Sequence, residues 1–132
     1  MELTKCIQAL EQCVGYPIQA HEDQGIYQWV HEKQQFHFFQ KNKQLYWEGS
    51  IGNPLTDDSK SRELLSKILQ FNLKRMRFVE GTLLLEPETH QLYLRYELPI
   101  NECSEKRLMD KFTDFLLNLE TIEEQFFPDF YK

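Results

Sequence analysis

The chain has 132 residues, of which 41% are hydrophobic, 14% aromatic and 27% charged. This length and apolar content predict one domain with a hydrophobic core and exclude a globally disordered chain. The formal charge of -6, from 15 basic and 21 acidic residues, disfavours sequence-independent nucleic-acid binding because an acidic surface repels phosphates.

The cysteines and the first residues of the chain indicate where the protein works. Cys6, Cys13 and Cys103 are odd in number and form no CxxC pair. The N-terminal segment alternates charged and apolar residues, so it lacks the apolar region of a signal peptide, and no segment has the length of a membrane span. We therefore expect a reduced, cytoplasmic location and no membrane partner.

The first predicted element is an amphipathic helix over residues 2–14. Its apolar side chains recur at helical spacing and occupy an arc of about 120°. Gly15 and Pro17 end the helix. The side chains on this arc are Leu3, Cys6, Ile7, Leu10, Cys13 and Val14.

Three aromatic and β-branched runs follow, over residues 26–30, 35–39 and 44–48. The short polar breaks between them suit hairpin turns, so the pattern predicts an antiparallel meander. Aromatic side chains occur at both parities of the first two runs, which requires both sheet faces to be covered. One face can take the helices of the domain, and the other needs a dimer mate or a bound chain.

A second helix is predicted after Gly52 and Pro54, with N-cap candidates at residues 57–59. Its apolar arc spans about 200°, whereas one packing contact needs about 100°. Either this helix is almost wholly buried, or one side packs on its own sheet and the other side on a partner; in a small domain we favour the second. The arc contains Leu64, Leu65, Ile68, Leu69, Phe71, Leu73 and Met76.

The rest of the chain predicts a hairpin and a last helix. Residues 82–86 and 91–98 flank a turn at 87–90, and the second run alternates, with Leu92, Leu94, Tyr96 and Leu98 on one face. Asn101 or Ser104 is predicted to cap the last helix, and residues 126–132 form an aromatic tail. Leu117 lies outside the apolar stripe of this helix, so we expect it to be exposed. The apolar stripe contains Leu108, Met109, Phe112, Phe115, Leu116, Leu119 and Ile122.

The element order α-β-β-β-α-β-β-α predicts a single α+β domain over residues 1–132, with a twisted antiparallel sheet and three helices.

Residues that carry chemistry have ordinary roles in this pattern. None of the four histidines has a second ligand at metal-binding spacing, and Cys6 and Cys13 lie on an apolar stripe. The acidic pairs fall at caps, turns or a helix end, and the basic cluster at residues 74–77 suits a helix C-terminus, so both have structural explanations. The five glycines form no phosphate-binding loop, so nucleotide binding has no support. We predict no catalytic residue, no metal, no cofactor and no small-molecule substrate.

Residues 63–126 resemble the second half of the class I type III secretion chaperones, the CesT/SycE-like family. The resemblance lies in Leu64-Leu65-x-x-Ile68-Leu69-x-x-Asn72, in Gly81-Thr82-Leu83-x-Leu85 before Leu92-x-Leu94, in Leu98-Pro99, and in the helix with Leu108, Phe112, Phe115 and Leu116. The first half of the chain matches in pattern, as an amphipathic helix and three strands. This family has no catalytic signature, so the resemblance implies a protein that binds and is not an enzyme.

The resemblance implies two partners. One is a second chaperone subunit, in a homodimer or a heterodimer, contacted through the second helix at Leu65, Leu69, Asn72 and Leu73. The other is a secreted effector or gatekeeper protein, whose N-terminal region is held extended, partly by added strand pairing. The expected client-binding side chains are Leu3, Ile7, Leu10, Trp29, Phe36, Phe38 and Trp47.

Two other functions compete with this interpretation. A chaperone-like acidic domain is also suited to regulating a transcription or secretion component by binding it. Alternatively, the aromatic strands Tyr27–Trp47 could line a pocket in a small-ligand-binding protein.

Overall fold

The computed structural model describes residues 3–52, 58–78 and 81–126. The predicted break at Asn53 and Pro54, the cap candidate Asp57 and residues 127–132 of the aromatic tail lie outside this part of the chain. The described helices are α1 (Leu3–Val14), α2 (Asp58–Phe78) and α3 (Glu105–Phe126), with one 3₁₀ turn at Ile100–Glu102. The strands are β1 (His21–Asp23), β2 (Ile26–His31), β3 (Gln34–Lys41), β4 (Gln44–Ile51), β5 (Thr82–Leu85) and β6 (Leu92–Pro99).

All six strands form one antiparallel sheet with the order β1-β2-β3-β4-β6-β5. The predicted α+β class and the antiparallel sheet with three helices are confirmed. The sequence pattern missed β1, which pairs with β2. Its residues His21, Glu22 and Asp23 are polar and exposed, so they give no apolar alternation from which a strand can be recognised.

Tight turns join the first four strands and set their register. The central residues of the turns all have positive φ: Gln24 and Gly25 (53° and 82°), Glu32 and Lys33 (50° and 72°), Asn42 and Lys43 (52° and 64°). Two successive positive φ values define the turn whose twist matches that of an antiparallel hairpin. The predicted hairpin turns at residues 32–34 and 41–43 are therefore confirmed.

Helix α3 lies against one face of the sheet, which we call the inner face. A Cβ atom on Gly49 of β4 would lie 3.0 Å from Leu119 and from Phe115 of α3, so glycine permits the close approach of the helix. Trp47, in the same strand, is 1% exposed and its ring lies 6.1 Å from those of Phe112 and Tyr96. The inner face is thus the hydrophobic core of the domain.

Polar contacts also fix α3 on the sheet. Tyr96 of β6 donates its hydroxyl proton to Oδ2 of Asp114 at 2.8 Å and accepts a hydrogen bond from Asn118. Ser104 caps the helix, since its Oγ accepts the N–H of Arg107 at 3.2 Å. Leu117 is 61% exposed, as predicted.

The hairpin of β5 and β6 follows the predicted alternation. Leu92, Leu94, Tyr96 and Leu98 are buried on the inner face, whereas Glu97 between them is exposed and Tyr93 and Arg95 are partly exposed. Because α1 packs against α3, two of the three helices share this side of the sheet. The opposite side, the outer face, is formed by the alternate residues of each strand.

Candidate binding surfaces

Helix α2 has an apolar side that its own domain does not cover. Ile68 is 6% exposed and belongs to the core, while three leucines four residues apart leave much of their area in solvent. Leu65 is 44% exposed, Leu69 65% and Leu73 66%. A spacing of four residues places them on one side of the helix, and we call these three residues the leucine stripe.

The leucine stripe explains why the apolar arc of this helix is so wide. Ile68 and Phe71 pack against the core, whereas the leucine stripe faces solvent. Of the two arrangements allowed by the sequence, near-complete burial is excluded for the described side chains. A contiguous exposed apolar surface is typical of a protein–protein contact.

Asn72, the fourth residue predicted at the dimer contact, has an internal role. Its Nδ2 donates to the carbonyl oxygen of Leu83 at 3.1 Å, and its Oδ1 accepts the N–H of Leu83 at 2.9 Å. Leu83 lies in β5, the strand at one end of the sheet. Asn72 therefore attaches α2 to the sheet, and the leucine stripe is left as the candidate subunit contact.

Six of the seven predicted client-binding side chains are buried in the core. Leu3 is half-buried at the start of α1. A side chain without exposed area has no surface to offer a client unless the core opens, so the structure favours a packing role for the six. The buried residues and their exposures are Ile7 (7%), Leu10 (0%), Trp29 (5%), Phe36 (3%), Phe38 (0%) and Trp47 (1%).

The sheet has one edge that the described residues leave open. Asp23 and Ile26 face each other across a two-residue turn, so they form a pair that exchanges backbone hydrogen bonds. Such pairs alternate along an antiparallel ladder with pairs that exchange none, so the next pair, Glu22 and Tyr27, has no backbone hydrogen bond between its members. The N–H and C=O of Glu22 therefore point away from β2. Edge strands with such unpaired groups accept another strand.

The outer face of the sheet carries a charged and aromatic cluster. Glu48 lies between His37 and Arg95 on the neighbouring strands. Its Oε1 is 3.2 Å from Nδ1 of His37, and its Oε2 accepts hydrogen bonds from Nε and Nη2 of Arg95 at 3.0 and 2.9 Å. The rings of Phe39 and Tyr46 stack at 5.3 Å, and the Arg95 guanidinium lies within 5.8 Å of both.

These partners decide the ionisation of Glu48. Burial by itself would raise the pKa of this carboxyl group, but the hydrogen bonds and charges of His37 and Arg95 outweigh burial and lower the pKa below its ordinary value of 4.5. His37 is thus bound within a structural ion-pair network. The sequence pattern left both faces open for this histidine, since alternation alone does not pair side chains across strands.

The described residues hold no group of three or more His, Cys, Asp or Glu side chains suited to a metal ion. Within the same ranges, none of the helices combines the length and the apolar character that crossing a membrane requires.

Comparison with known proteins identifies the class that this fold and these surfaces define. The model of the Tir chaperone protein (CesT) family matches residues 5–123. The chain therefore belongs to the Tir chaperone protein (CesT) family, and the resemblance to type III secretion chaperones is confirmed. No curated protein matches the sequence.

Solved structures share the fold at low sequence identity. A chain of the ExsC-ExsE complex matches with a TM-score of 0.71 and 13% identity, covering 94% of this chain and 96% of that one. The HopA1-SchA chaperone-effector complex gives 0.67 and 13%, covering 92% of each chain. The ExoT-SpcS complex from Pseudomonas aeruginosa gives 0.51 and 15%, covering 95% and 98%.

The sequence did not reveal two of these surfaces. The open edge depends on β1, which has no apolar signal, and the outer-face cluster depends on the strand register. The sequence alone does not indicate that Glu48 would lie between His37 and Arg95, because that arrangement follows from the pairing of three strands.

Proposed function

We propose that this protein is a type III secretion chaperone that binds the N-terminal region of a secreted effector or gatekeeper protein in extended form. The observation that carries the proposal is the family match over residues 5–123. The similar HopA1-SchA structure is a chaperone-effector complex, which supports a client of the same kind. Holding such a segment extended keeps its apolar side chains from aggregating before export.

The client pairs with the sheet along β1. At the other end of the sheet, Asn72 already occupies the outward N–H and C=O of Leu83, so β5 is a poor acceptor for an added strand. Glu22 offers its own N–H and C=O at the β1 edge. Added strand pairing supplies backbone hydrogen bonds that do not depend on the client sequence, and alternate client side chains then provide specificity.

The protein acts as a dimer through the leucine stripe. Leu69 and Leu73 are each about two-thirds exposed, and pairing the stripe with a related helix removes this apolar area from water. An isologous contact, in which the same stripe from two copies meets, is the simplest closed arrangement. A related chaperone with a similar helix would form the corresponding heterodimer.

The work of the protein is binding, without catalysis and in the bacterial cytoplasm, where secretion clients are made. The family match over residues 5–123 supports this. Glu48, His37 and Arg95 satisfy one another, which gives them a structural role. The partners are then a client and a second subunit, with no nucleic acid or membrane.

The two competing functions predict different partners. A regulator would bind a transcription or secretion component as its main task. A small-ligand protein would use a pocket, yet the inner-face aromatic rings pack on one another, as Trp29 does on Phe36 at 5.2 Å. Two described cavities have about 230 and 350 Å³ and are lined mainly by charged and amide side chains, whereas ligand sites are lined predominantly by apolar and aromatic ones.

Co-expression with candidate secreted proteins tests the proposal. The full chain is purified through a tag on the candidate, and light scattering measures the mass of the complex and of the chaperone alone. We expect one client to co-purify through its N-terminal region, with two chaperone chains per client segment. The same client without that region serves as the control.

Three results would count against the proposal. A monomer that binds a defined small ligand and no client would support the pocket function. Capture of an RNA-polymerase component or a secretion regulator, with no secreted client, would support the regulatory function. Equal capture of the client with and without its N-terminal region would contradict the proposed binding mode.

A further inference from the structure

One acidic side chain at the β1 edge is left for a bound chain. Glu22 and Asp23 are both exposed, but the Glu22 carboxylate already accepts the N–H of Gly25 at 2.7 Å. Among the residues that the structure describes, none forms a hydrogen bond or an ion pair with the carboxylate of Asp23. Asp23 is therefore the acidic group of this edge that can still pair with a client.

The register of β1 sets how close a client side chain comes to Asp23. Asp23 exchanges its backbone hydrogen bonds with Ile26 of β2, whereas the N–H and C=O of Glu22 point outwards. In an added antiparallel strand, the client residue opposite Glu22 takes these bonds, so the client residue opposite Asp23 belongs to a pair that exchanges none. The Cα atoms of such a pair are only about 4.5 Å apart. The client side chain would therefore lie directly beside the Asp23 carboxylate.

Asp23 points to the outer face of the sheet. Tyr27, the neighbour of Ile26 in β2, faces the buried inner-face residue Phe38, and successive side chains of a strand alternate between the faces. Ile26 and its partner Asp23 are thus on the outer face, where Ile26 is 36% exposed. The client side chain beside Asp23 would lie on this face and not in the core.

The outer face already pairs an acidic and a basic residue across two strands. Arg95 of β6 is directly opposite Glu48 of β4, and its guanidinium donates to the Glu48 carboxylate at 3.0 and 2.9 Å. The same guanidinium lies within 5.8 Å of two aromatic rings. Asp23, with the apolar side chain of Ile26 beside it, presents to a client the acidic half of a similar arrangement.

We propose that Asp23 selects client segments that carry a lysine or arginine at the position opposite it. This inference rests on the proposed binding of the client along β1. An added strand removes water from around the Asp23 carboxylate, and a basic client side chain compensates for this loss, whereas an apolar or acidic one does not. The formal charge of -6 acts in the same direction, because it attracts basic segments before contact.

A charge exchange between the protein and a client tests this pairing. The probe is a fluorescent peptide with the N-terminal sequence of a client that co-purifies in the co-expression experiment. In its variants, each lysine or arginine is replaced by glutamate in turn, and anisotropy measures Kd with the full-length wild type and with Asp23→Lys. We expect one basic position at which glutamate weakens wild-type binding by about three- to tenfold. That glutamate peptide should bind Asp23→Lys more tightly than the unchanged peptide does.

Two further variants separate the charge of Asp23 from other effects. Glu120→Lys makes the same change of charge at an exposed position of α3, and it should keep the wild-type preference for the basic peptide. Asp23→Ser removes the charge without reversing it, so it should bind the two peptides within about twofold of each other. If Asp23→Lys binds neither peptide because its fold is disturbed, the preference of Asp23→Ser decides the question.

Three results would overturn the inference. They are a wild type that tolerates glutamate at every basic position of the peptide, an Asp23→Ser protein that keeps the wild-type preference, and a folded Asp23→Lys protein that does so. Each of them leaves the proposed function intact, because the client still binds. If no secreted protein co-purifies, the proposed function itself fails, and the inference fails with it.

Discussion

The side-chain amide of Asn72 in α2 makes both hydrogen bonds to the backbone of Leu83 that a neighbouring strand would make. Nδ2 donates to the carbonyl oxygen at 3.1 Å, and Oδ1 accepts the N–H at 2.9 Å. One residue of a helix thereby ends the sheet at β5 and holds the helix that carries the leucine stripe. The contact also occupies the outward backbone groups of Leu83, so β1 at the opposite end of the sheet is the better edge for an added strand.

Replacing Asn72 should loosen α2 from the sheet. Asn72→Ala leaves two backbone groups of the buried residue Leu83 without their partners, so we expect the free energy of unfolding to fall by about 1–3 kcal/mol. Urea unfolding at one fixed protein concentration measures the change. Gln70→Ala, at an exposed position of the same helix, is the control and should change stability by less than about 0.5 kcal/mol. Equal effects of the two substitutions would contradict the role of Asn72.

Charging the leucine stripe should separate the subunits. The double variant Leu69→Glu/Leu73→Glu would place two negative charges from each chain in the subunit contact, where they repel one another and lose their hydration. We therefore expect the mass to fall to the single-chain value of 16.0 kDa. Light scattering measures the mass, and circular dichroism checks that the fold persists.

Leu117→Glu is the matched control for the stripe. Leu117 is 61% exposed, close to the exposure of Leu69, but it lies on α3. This variant should keep the dimer mass. A dimer that survives the double substitution, or dissociates only on changing Leu117, would place the subunit contact elsewhere.

Removing one backbone donor from β1 should weaken client binding. Glu22→Pro deletes an N–H that points away from β2, so the hairpin keeps its internal backbone bonds while the client loses one. We expect the client Kd to rise by about three- to tenfold, corresponding to about 1 kcal/mol for one hydrogen bond. Titration calorimetry or fluorescence with a client peptide measures Kd.

The Glu22 side chain requires its own control, since its Oε1 accepts the N–H of Gly25 at 2.7 Å. Glu22→Ala loses this contact but keeps the backbone N–H, so it should bind the client like the wild type. If Glu22→Ala and Glu22→Pro weaken binding equally, the side chain and not the strand edge is responsible.

The Glu48 network should make stability depend on pH in the acid range. The pKa of Glu48 is lower in the folded protein than its ordinary value of 4.5, so its stabilisation is complete above that value and is lost as the pH falls through the folded pKa. Glu48→Gln should therefore lower the free energy of unfolding by about 1–2 kcal/mol at pH 6. The difference from the wild type should shrink below pH 4.5.

Urea unfolding at several pH values measures this difference, and Glu32→Gln is the control. Glu32 lies 3.8 Å from His31, but 85% of its side chain is exposed, so its removal should be nearly neutral at every pH. A Glu48→Gln effect that is constant from pH 3 to pH 6 would show that lost packing, and not the charge, is responsible.

The sequence by itself determined the elements and much of their packing. Periodicity identified the three helices, five of the six strands, the inner face of β6 and the exposure of Leu117, because apolar side chains recur at the period of the element that buries them. The same patterns, read with the spacing of residues 64–72, led to the family. The excess apolar arc of α2 also predicted that part of this helix would be uncovered.

Only the tertiary structure decided which side chains remain on the surface. Trp29, Phe36, Phe38 and Trp47 look like groove residues in sequence because large aromatic side chains suit both cores and binding sites. Their burial depends on where α1 and α3 pack. Likewise, Asn72 resembles a surface amide until β5 is placed beside it, and Glu48 gains its partners from the register of three strands. These are contacts between residues far apart in the chain, and local periodicity carries no information about which distant groups will meet.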